Sequence, residues 1–317
     1  MILNEQVELE IKDAKYIIIA KHQSPDWDAF GSSLGLYHLI KDNFPNKEIF
    51  LVGEPDEYNL DLWSKNLDIN IVKESLLITV DTANIERVDF DQKKYVSKII
   101  KIDHHIVYEN NFGNYNLVLE NTIACCEVIT LFALDRKWKI SQIAARNLYK
   151  GLITDSNRFM YEGTSSSTFF VAATLKETGI NIQEIYSELY MRSFQCAKWN
   201  AHVLLNSILS NGIIYYVATN DEHLEWVNDD LKFEQWKSVV DVFNNIKEVK
   251  IWMLIYPKDD GTFGVSLRSN KYSIVEVANK FNGGGHRLAS GAKIKNLDEI
   301  PAILNELHKI INEGERK

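Results

Sequence analysis

Aspartate and histidine side chains recur at four places along this chain, each at or just after an apolar run. The runs are residues 16–20, 76–80, 98–102 and 148–153, and the side chains are His22, Asp26, Asp28, Asp81, Asp103, His104, His105 and Asp155. Open α/β sheets place their sites at the carboxyl ends of their strands, so we expect these side chains to converge. Carboxylates and imidazoles bind divalent cations, and the sequence therefore predicts a metal centre.

The composition of this set indicates the kind of metal and the number of ions. Asp26 and Asp28 are two residues apart in a loop that contains Pro25, and we expect their carboxylates to serve different ions. Oxygen ligands mixed with imidazole favour Mn²⁺, Mg²⁺ or Fe²⁺ over structural Zn²⁺. Two ions bridged by one carboxylate activate water in phosphoryl transfer. We expect two divalent ions, with Mn²⁺ as first choice and Mg²⁺ or Fe²⁺ as alternatives.

Each of these residues taken singly has a simpler interpretation. Asp26 or Asp155 alone is a common cap or turn residue. A histidine near a strand end often satisfies a buried hydrogen bond. Asp81 is harder to explain in this way, because it ends the apolar run 76–80, where an unpaired carboxylate is costly to desolvate. Aspartate or histidine residues of this kind occur at the ends of four core elements, so a purely structural explanation for all of them is weak.

The elements that must position these residues alternate between strand and helix patterns in the first half. The runs YIIIAKH, KEIFLVGE, SLLITVD and KIIKIDHH are typical of buried strands, with helical segments near 28–41 and 58–65 between them. Such alternation predicts a doubly wound, mainly parallel α/β sheet. Helical segments follow at 124–138, 141–153, 165–177 and 182–210, and we expect the last one to connect two domains.

The second half has a different pattern, with strands and helices in a smaller α/β arrangement. Asp260-Gly261 lies between two apolar runs and predicts a hairpin. Helices are expected near 236–246, 273–281 and 297–311, and a glycine turn at 282–285. We therefore expect a catalytic domain at 1–186, a helical connector at 187–210 and a smaller substrate-binding domain at 211–317.

Composition narrows the class of protein. The 317 residues are 45% hydrophobic, enough for two cores. The 35 basic and 44 acidic residues give a net charge of -9, which argues against a protein that coats long nucleic acid. Three cysteines form neither a disulfide framework nor a zinc motif, which favours a reduced compartment. We expect a cytoplasmic protein without a signal peptide or membrane span.

A family resemblance is carried by four segments in order, HQSPDWDAFGS, VDTAN, IDHH and GLITDSNRF. They resemble the motifs of the DHH phosphoesterase superfamily. The later SLRS at 266–269 and GGGH at 283–286 resemble the associated DHHA1 domain. The match spans about residues 16–292, and size and domain pairing resemble most the bacterial nano-RNase and pAp phosphatase (NrnA-like) group. The resemblance implies a DHH catalytic domain followed by a DHHA1 substrate-binding domain.

The resemblance also implies a role for each residue. The two ions would be held by His22, Asp26 and Asp81, and by Asp28, Asp81, His104 and Asp155. Asp81 would then bridge them. Two further residues are implied to be catalytic. His105 would face the substrate phosphate, and Asp103 would orient the histidine pair. The expected substrate-binding residues are Arg158, Arg268, Ser269, Gly283, Gly284, Gly285 and His286.

The function that the resemblance implies is hydrolysis of very short oligoribonucleotides, about two to five nucleotides long, to mononucleotides, with two-metal activation of water. Conversion of pAp to AMP is an expected second activity. A soluble phosphodiesterase for cyclic di-AMP or pApA is an alternative of the same class. An RNA-binding module without catalysis is an alternative of another class, because DHHA1-like domains also occur in tRNA-related proteins. No protein partner is indicated, and a homodimer is left open.

Two positions depart from the family pattern. Trp27 stands where the first motif usually has glycine, and Asn157 precedes Arg158 where a small residue is common. Neither change removes a predicted ligand. Trp27 narrows or shields the metal loop, offers an aromatic face to a base, or packs against the following helix, and these interpretations stay open.

Overall fold

The computed structural model describes residues 5–106, 112–227 and 236–315. The chain divides into two compact units, Met1–Tyr190 and Met191–Lys317. Within the described residues, no helix is both long enough and apolar enough to cross a membrane.

The first unit is an α/β domain built on one sheet. Its helices are α1 (Glu5–Asp13), α2 (Trp27–Asn43), α3 (Ile69–Glu74), α4 (Cys125–Asp135), α5 (Gln142–Asp155), α6 (Ser166–Glu177) and α7 (Ile182–Tyr190). Its strands are β1 (Tyr16–Ala20), β2 (Glu48–Leu51), β3 (Ser75–Val80), β4 (Lys98–Asp103) and β5 (Tyr115–Val118). Short 3₁₀ turns occupy Leu60–Leu62, Ile85–Arg87 and Asp91–Tyr95.

The five strands of this sheet are parallel and lie in the order β2-β1-β3-β4-β5. β1 and β3 are neighbours, and Ala20 of β1 pairs with Thr79 of β3, so both strands end at the same edge. In this order the connections leave β1 and β3 in opposite directions, and ligand sites form outside the carboxyl ends at such a point. The order therefore explains where the polar residues after β1 and β3 must lie.

The sheet is covered on both faces. Side chains alternate along a strand, so Ile17 and Ile19 join the core that also contains residues of α1, α2, α4 and α5. Ile18 and Ala20 join a smaller cluster with Val72 of α3. All six residues of β3 are buried, as expected of a central strand in a sheet covered on both sides. The predicted doubly wound parallel sheet is confirmed.

Glycines bring α2 and α5 close together. A Cβ at Gly31 would lie 2.6 Å from the backbone oxygen of Asn147, and one at Gly35 would lie 2.6 Å from the Leu148 side chain. The two helices can approach to this distance only because neither glycine has a side chain. α2 carries Asp28 in its first turn and α5 ends at Asp155, so this packing sets the separation of two predicted ligands.

The second unit has its own mixed sheet and two cores. Its helices are α8 (Phe194–Asn206), α9 (Asn220–Trp226), α10 (Val275–Lys280) and α11 (Ile300–Glu315). Its strands are β6 (Ile208–Ser210), β7 (Ile213–Val217), β8 (Ile251–Pro257), β9 (Phe263–Ser269), β10 (Gly284–Gly285) and β11 (Ala289–Ile294). Further 3₁₀ turns occupy Ser238–Phe243 and Leu297–Glu299.

The order in this sheet is β10-β11-β9-β8-β7-β6. β7 and β8 are parallel, and the other neighbours formed by the described residues are antiparallel. The hairpin predicted at Asp260-Gly261 joins β8 to β9, and Gly261 supplies the positive φ of 75° that the turn needs. The predicted smaller α/β domain is confirmed.

One long helix over 182–210 was expected, and this expectation is wrong. The segment forms α7, a break at 191–193, α8 and then the edge strand β6. Ser193 starts a new helix because its hydroxyl accepts a hydrogen bond from the Cys196 N-H, an N-cap that competes with continuation of α7. In place of the helices expected near 58–65 and 236–246, the chain forms 3₁₀ turns at Leu60–Leu62 and Ser238–Phe243.

Candidate metal centre and phosphate site

His22 follows β1 and is buried, with one ring nitrogen fixed by the backbone. Its Nδ1 lies 2.9 Å from the carbonyl oxygen of Gln23, which can only accept, so Nδ1 carries the hydrogen. Nε2 is then the ring nitrogen that can supply its lone pair to a cation. It lies 3.5 Å from Asp81 Oδ2 and 3.9 Å from Asp26 Oδ1. This tautomer suits a metal ligand.

Asp26 caps α2 and stays accessible. Its Oδ1 accepts hydrogen bonds of 3.0 Å from the N-H groups of Asp28 and Ala29. Its side chain is 62% exposed. The capping role that the residue type alone suggests is therefore present, and it aims the carboxylate at the same space as His22.

Asp28 is held by the amino end of α4, nearly one hundred residues further along the chain. Its Oδ2 accepts a 2.6 Å hydrogen bond from the Cys125 N-H and its Oδ1 accepts a 3.0 Å bond from the Cys126 N-H. Oδ2 also lies 3.8 Å from His104 Nε2. Burial and the nearby Asp81 carboxylate raise the pKa of Asp28 to about 7.

Asp81 lies between two imidazoles. Its Oδ1 is 3.4 Å from His104 Nε2, and its Oδ2 is 3.5 Å from His22 Nε2. Burial would raise the pKa of Asp81, but its contacts with His104 and His22 hold that pKa well below its usual range. The backbone is in the left-handed region, with φ of 50°, a strained conformation that clusters at functional sites.

The histidine pair after β4 is oriented by Asp103. Oδ1 of Asp103 lies 2.7 Å from His105 Nδ1 and accepts a 2.9 Å hydrogen bond from the His104 N-H. Nε2 of His104 faces the three carboxylates, at 3.4 Å from Asp81, 3.5 Å from Asp155 and 3.8 Å from Asp28. Although burial lowers it, contacts with Asp81 and Asp28 raise the pKa of His104 to about 10.

Lys101 is a neighbour of this group that the sequence analysis missed. It is buried in β4, and its Nζ lies 3.2 Å from Asp103 Oδ2. The signal available in the sequence was a lone lysine two residues before Asp103 inside an apolar strand, where a charge needs a partner. Lys101 balances the charge of Asp103 on the side away from His105.

Asp155 ends α5, not a strand, and a strained turn follows it. Burial and the nearby Asp28 raise the pKa of Asp155 to about 8. After Ser156, three successive residues have a left-handed backbone: Asn157, Arg158 and Phe159, with φ of 47°, 60° and 67°. The turn brings the Arg158 guanidinium to 5.3 Å from the Tyr190 ring centroid. Such a run occurs only where the surrounding structure enforces it.

The predicted ligands therefore converge in three overlapping groups whose ligand atoms lie within 4.8 Å of one another. The groups are His22, Asp26 and Asp81; Asp28, His104 and Asp155; and Asp81, His104 and His105. Oδ1 of Asp81 is buried and has no hydrogen-bond partner. Burial and the neighbouring carboxylates raise the pKa values of Asp28 and Asp155, so the ionised form of each carboxyl needs a compensating positive charge. A divalent cation would satisfy both requirements, and the donor set fits one.

The predicted substrate residues of the second unit lie together on the sheet. Gly284-Gly285 forms β10 against β11, and Arg268 of β9 pairs with Ala289 of β11. A Cβ at Gly283 would collide with the Gly291 oxygen and lie 2.6 Å from Ala292 Cα, so this turn requires glycine. His286 and the glycine at 285 are exposed, and the Arg268 side chain is 33% exposed.

Ser269 is placed differently from the other predicted contacts. It is buried, and its hydroxyl accepts hydrogen bonds from the N-H groups of Lys271 and Tyr272 at 3.2 Å and 2.8 Å. It also donates to the Lys250 carbonyl at 3.2 Å. The hydroxyl thus stabilises the turn after β9, and this geometry gives no support to a direct contact with substrate.

Two family models match the chain. The DHH family, N-terminal domain, covers residues 16–153, and the DHHA1 domain covers residues 211–313. The match to the DHH family lies within the first unit of the structure, and the match to the DHHA1 domain lies within the second.

Known proteins resemble the chain over almost its full length. It is 33% identical to the bifunctional oligoribonuclease and PAP phosphatase NrnA of Mycoplasma genitalium, over 95% of each chain. It is 32% identical to the protein of that name from Bacillus subtilis, over 94% of this chain and 96% of the relative. An exopolyphosphatase-related protein from Bacteroides fragilis has the same fold, with a TM-score of 0.83 at 23% identity, over 95% of this chain and 94% of that one. The chain therefore belongs to the metal-dependent DHH family with a DHHA1 domain, and is a phosphoesterase of the group that contains the NrnA proteins.

Proposed function

We propose that this phosphoesterase hydrolyses very short oligoribonucleotides to mononucleotides and removes the 3′ phosphate of pAp. The observation that carries the proposal is the position of Asp81, each of whose two oxygens faces a different imidazole, that of His104 or that of His22. A carboxylate placed in this way can bridge two cations. The relatives that match nearly the whole of this chain are named as oligoribonucleases and PAP phosphatases, which supports the same substrate class here.

We further propose which residues hold the cations. Two divalent ions, Mn²⁺ first, would be bound by His22, Asp26 and Asp81, and by Asp28, Asp81, His104 and Asp155. When bound, such ions activate water and stabilise the phosphate oxygens. The clustering of these side chains and the mixture of oxygen and imidazole donors support this assignment.

His105 is suited to bind the reacting phosphate. Its Nδ1 is engaged with Asp103, and its side chain is 33% exposed, so Nε2 is left for substrate. In its protonated form His105 donates a hydrogen bond to a phosphate oxygen, and the Asp103 carboxylate stabilises the positive charge. Asp103 keeps its own charge because Lys101 and the His105 hydrogen bond lower its pKa against the effect of burial.

Further cationic groups are proposed to bind the rest of the substrate. Arg268 can contact a phosphate with its guanidinium, and the turn at Gly283, Gly284 and Gly285 lets a ligand approach the backbone closely, with His286 beside it. In the first unit Arg158 is held near Tyr190 and is proposed to contact a base or phosphate. A few local contacts suit short substrates and agree with the acidic composition of the chain.

The test is hydrolysis by the Mn²⁺-loaded protein of four substrates side by side. The substrates are a set of RNA oligonucleotides of increasing length, pAp, pApA and pyrophosphate, each with an EDTA control. Release of mononucleotides from short RNA, lost with EDTA and in the Asp81→Ala variant, is the expected result. A strong preference for pApA would assign the protein to dinucleotide turnover instead. RNA binding that persists in EDTA, without turnover of any substrate, would contradict the proposal and favour the noncatalytic module.

A further inference from the structure

Trp27 lies directly between two of the predicted metal ligands. It is the first residue of α2, and Asp26 and Asp28 are its neighbours in the chain. Both of these neighbours belong to the groups of predicted ligands, so the backbone of Trp27 lies at the rim of the candidate metal centre.

Trp27 is paired with the ring of Tyr58. The two ring centroids are 6.2 Å apart and the ring planes are inclined by 29°, an offset stack. The Tyr58 side chain is 55% exposed and Trp27 is half-buried. Stacking occupies one face of each ring, and the exposed surface of Tyr58 is left to stack a further planar group.

A buried lysine holds this pair in place. Nζ of Lys150 lies 4.9 Å from the Trp27 ring centroid and 5.4 Å from that of Tyr58. The same atom is 2.7 Å from Glu188 Oε2, and only 6% of the Lys150 side chain is exposed. The backbone N-H of Tyr58 donates a hydrogen bond to Asp56 Oδ1 at 2.9 Å, and this bond also fixes the loop that carries Tyr58. The rings are therefore preorganised.

The purely structural interpretation of Trp27 explains only part of this arrangement. Trp27 does touch Phe30, at 5.9 Å between centroids, and Phe30 in turn touches Trp63. Trp63 is 7% exposed and belongs to the core, so this end of the aromatic row is packing. Tyr58 is at the other end of the row, more than half exposed, where core packing gives no reason for an aromatic ring.

We propose that Trp27 and Tyr58 form a stacking platform for the base of the nucleotide whose phosphate is at the metal centre. The proposal rests on the proposed function, since it names the part of an oligonucleotide that the rim of that site binds. Stacking on aromatic rings tolerates every base, because each has a planar π face. The platform would therefore favour nucleotides over phosphates that carry no base, with purines ahead of pyrimidines.

The kinetic test compares substrates with and without a base. An adenosine dinucleotide is hydrolysed alongside two abasic analogues, each lacking the base on one of its sugars. Stacking contributes about 1–3 kcal/mol per base, so Trp27→Ala and Tyr58→Ala should each raise KM for the dinucleotide by roughly 5- to 150-fold. We expect kcat to change less than KM. On the analogue that lacks the stacked base, the variants and the unmodified protein should have similar KM values.

Two further variants separate stacking from packing. Trp27→Phe keeps an aromatic face and should retain most of the affinity. Tyr95→Ala is a matched control, because Tyr95 is also exposed and has a lysine over its ring, but precedes the amino end of β4. Equal losses in Trp27→Ala on the dinucleotide and on both abasic analogues would overturn the proposal, since that result means disturbance of Asp26 and Asp28.

A binding measurement keeps the platform testable if the proposed substrate is wrong. AMP should quench the tryptophan fluorescence of the metal-free protein, and ribose 5-phosphate should not. The fluorescence quenching that AMP causes should disappear in Trp27→Phe and remain in Tyr95→Ala. Failure to hydrolyse oligonucleotides together with this quenching would refute the proposed function and retain the base platform. Quenching that is equal in the unmodified protein and Trp27→Phe would refute the platform.

Discussion

Oδ1 of Asp103 and Nδ1 of His105 lie 2.7 Å apart, the shortest of the contacts that orient the histidine pair. The carboxylate can only accept a hydrogen bond here, so it fixes one ring nitrogen of His105 and leaves the other for substrate. Nζ of Lys101 lies 3.2 Å from Oδ2, the other carboxylate oxygen of Asp103. The charge of Asp103 is thus compensated on both sides within a buried site.

Replacement of Asp103 by asparagine should lower kcat by about 10- to 100-fold, the usual effect of losing a carboxylate behind a functional histidine. The amide lacks the negative charge that supports a protonated His105. Steady-state kinetics on the dinucleotide checks this, with metal content measured on the same sample. Unchanged kcat with normal metal content would mean that His105 needs no such support.

Asp81→Ala and Arg268→Ala should fail in different ways. Asp81 faces both imidazoles, so its loss should abolish metal binding and hydrolysis together. Arg268 should contribute one charged hydrogen bond, about 1.5–3 kcal/mol, and its loss should raise KM roughly 10- to 100-fold with kcat largely retained. Metal analysis and saturation kinetics on the two variants check this. The same residual activity in both would contradict the division between metal site and substrate contact.

Gly151→Ala should damage the metal centre from outside it. A Cβ at this position would lie 2.8 Å from Asp28 Oδ1 and would also collide with Cys126 Sγ. Overpacking of this kind lowers the free energy of unfolding by about 1–3 kcal/mol, and here the displaced group is a predicted ligand. We expect weaker metal binding in a titration followed by thermal unfolding.

Gly35→Ala provides the matched control for that variant. Its Cβ would meet the Leu148 side chain in the same interface between α2 and α5. We expect a similar loss of stability without a change in metal affinity. If both variants lose metal affinity equally, the effect comes from the helix spacing and not from contact with Asp28.

The second unit should show its own sensitivity to acid through Glu222. Burial alone would raise the pKa of Glu222, but hydrogen bonds from Tyr216 and from the Thr219 N-H at 2.8 Å lower it. A carboxyl group with a lowered pKa in the folded state stabilises the fold above its unfolded pKa near 4.3, and this stabilisation is lost as pH falls through the folded value. The contribution should therefore be complete at pH 6 and decrease below about pH 4.3.

Urea unfolding of Glu222→Gln against the unmodified protein, from pH 6 to pH 3, measures this contribution. The difference in free energy of unfolding should shrink as the pH falls. Glu225→Gln is the control, because Glu225 is exposed on the same helix α9. A difference that stays constant over this range would show that the Glu222 contacts do not depend on its charge.

The sequence alone was sufficient for the class of fold and for the identity of the clustered residues. Apolar strands that alternate with helical segments predict a parallel sheet, because burial on both faces leaves few polar positions within the strands. Residues such as Asp81 are conspicuous for the same reason, as polar groups at the ends of buried runs. These signals are local, and each can be read within ten to twenty residues.

Local signals were weakest where a helix is interrupted or tightened. The segment 182–210 has helical periodicity throughout, but the cap at Ser193 and the pairing of β6 with β7 divide it. Pairing with a distant strand is not encoded in the periodicity of the segment itself. The 3₁₀ turns at Leu60–Leu62 and Ser238–Phe243 are likewise shaped by their surroundings.

Only the tertiary structure decided how the residues of the candidate metal centre are arranged. The N-H groups that hold Asp28 belong to Cys125 and Cys126, and the lysine that compensates Asp103 is recognisable only once β4 is buried. The left-handed backbone of Asp81 is equally invisible in the sequence. Motif order brings the right residue types to one edge of a sheet, but distances of a few ångströms depend on which helix ends and strands pack there.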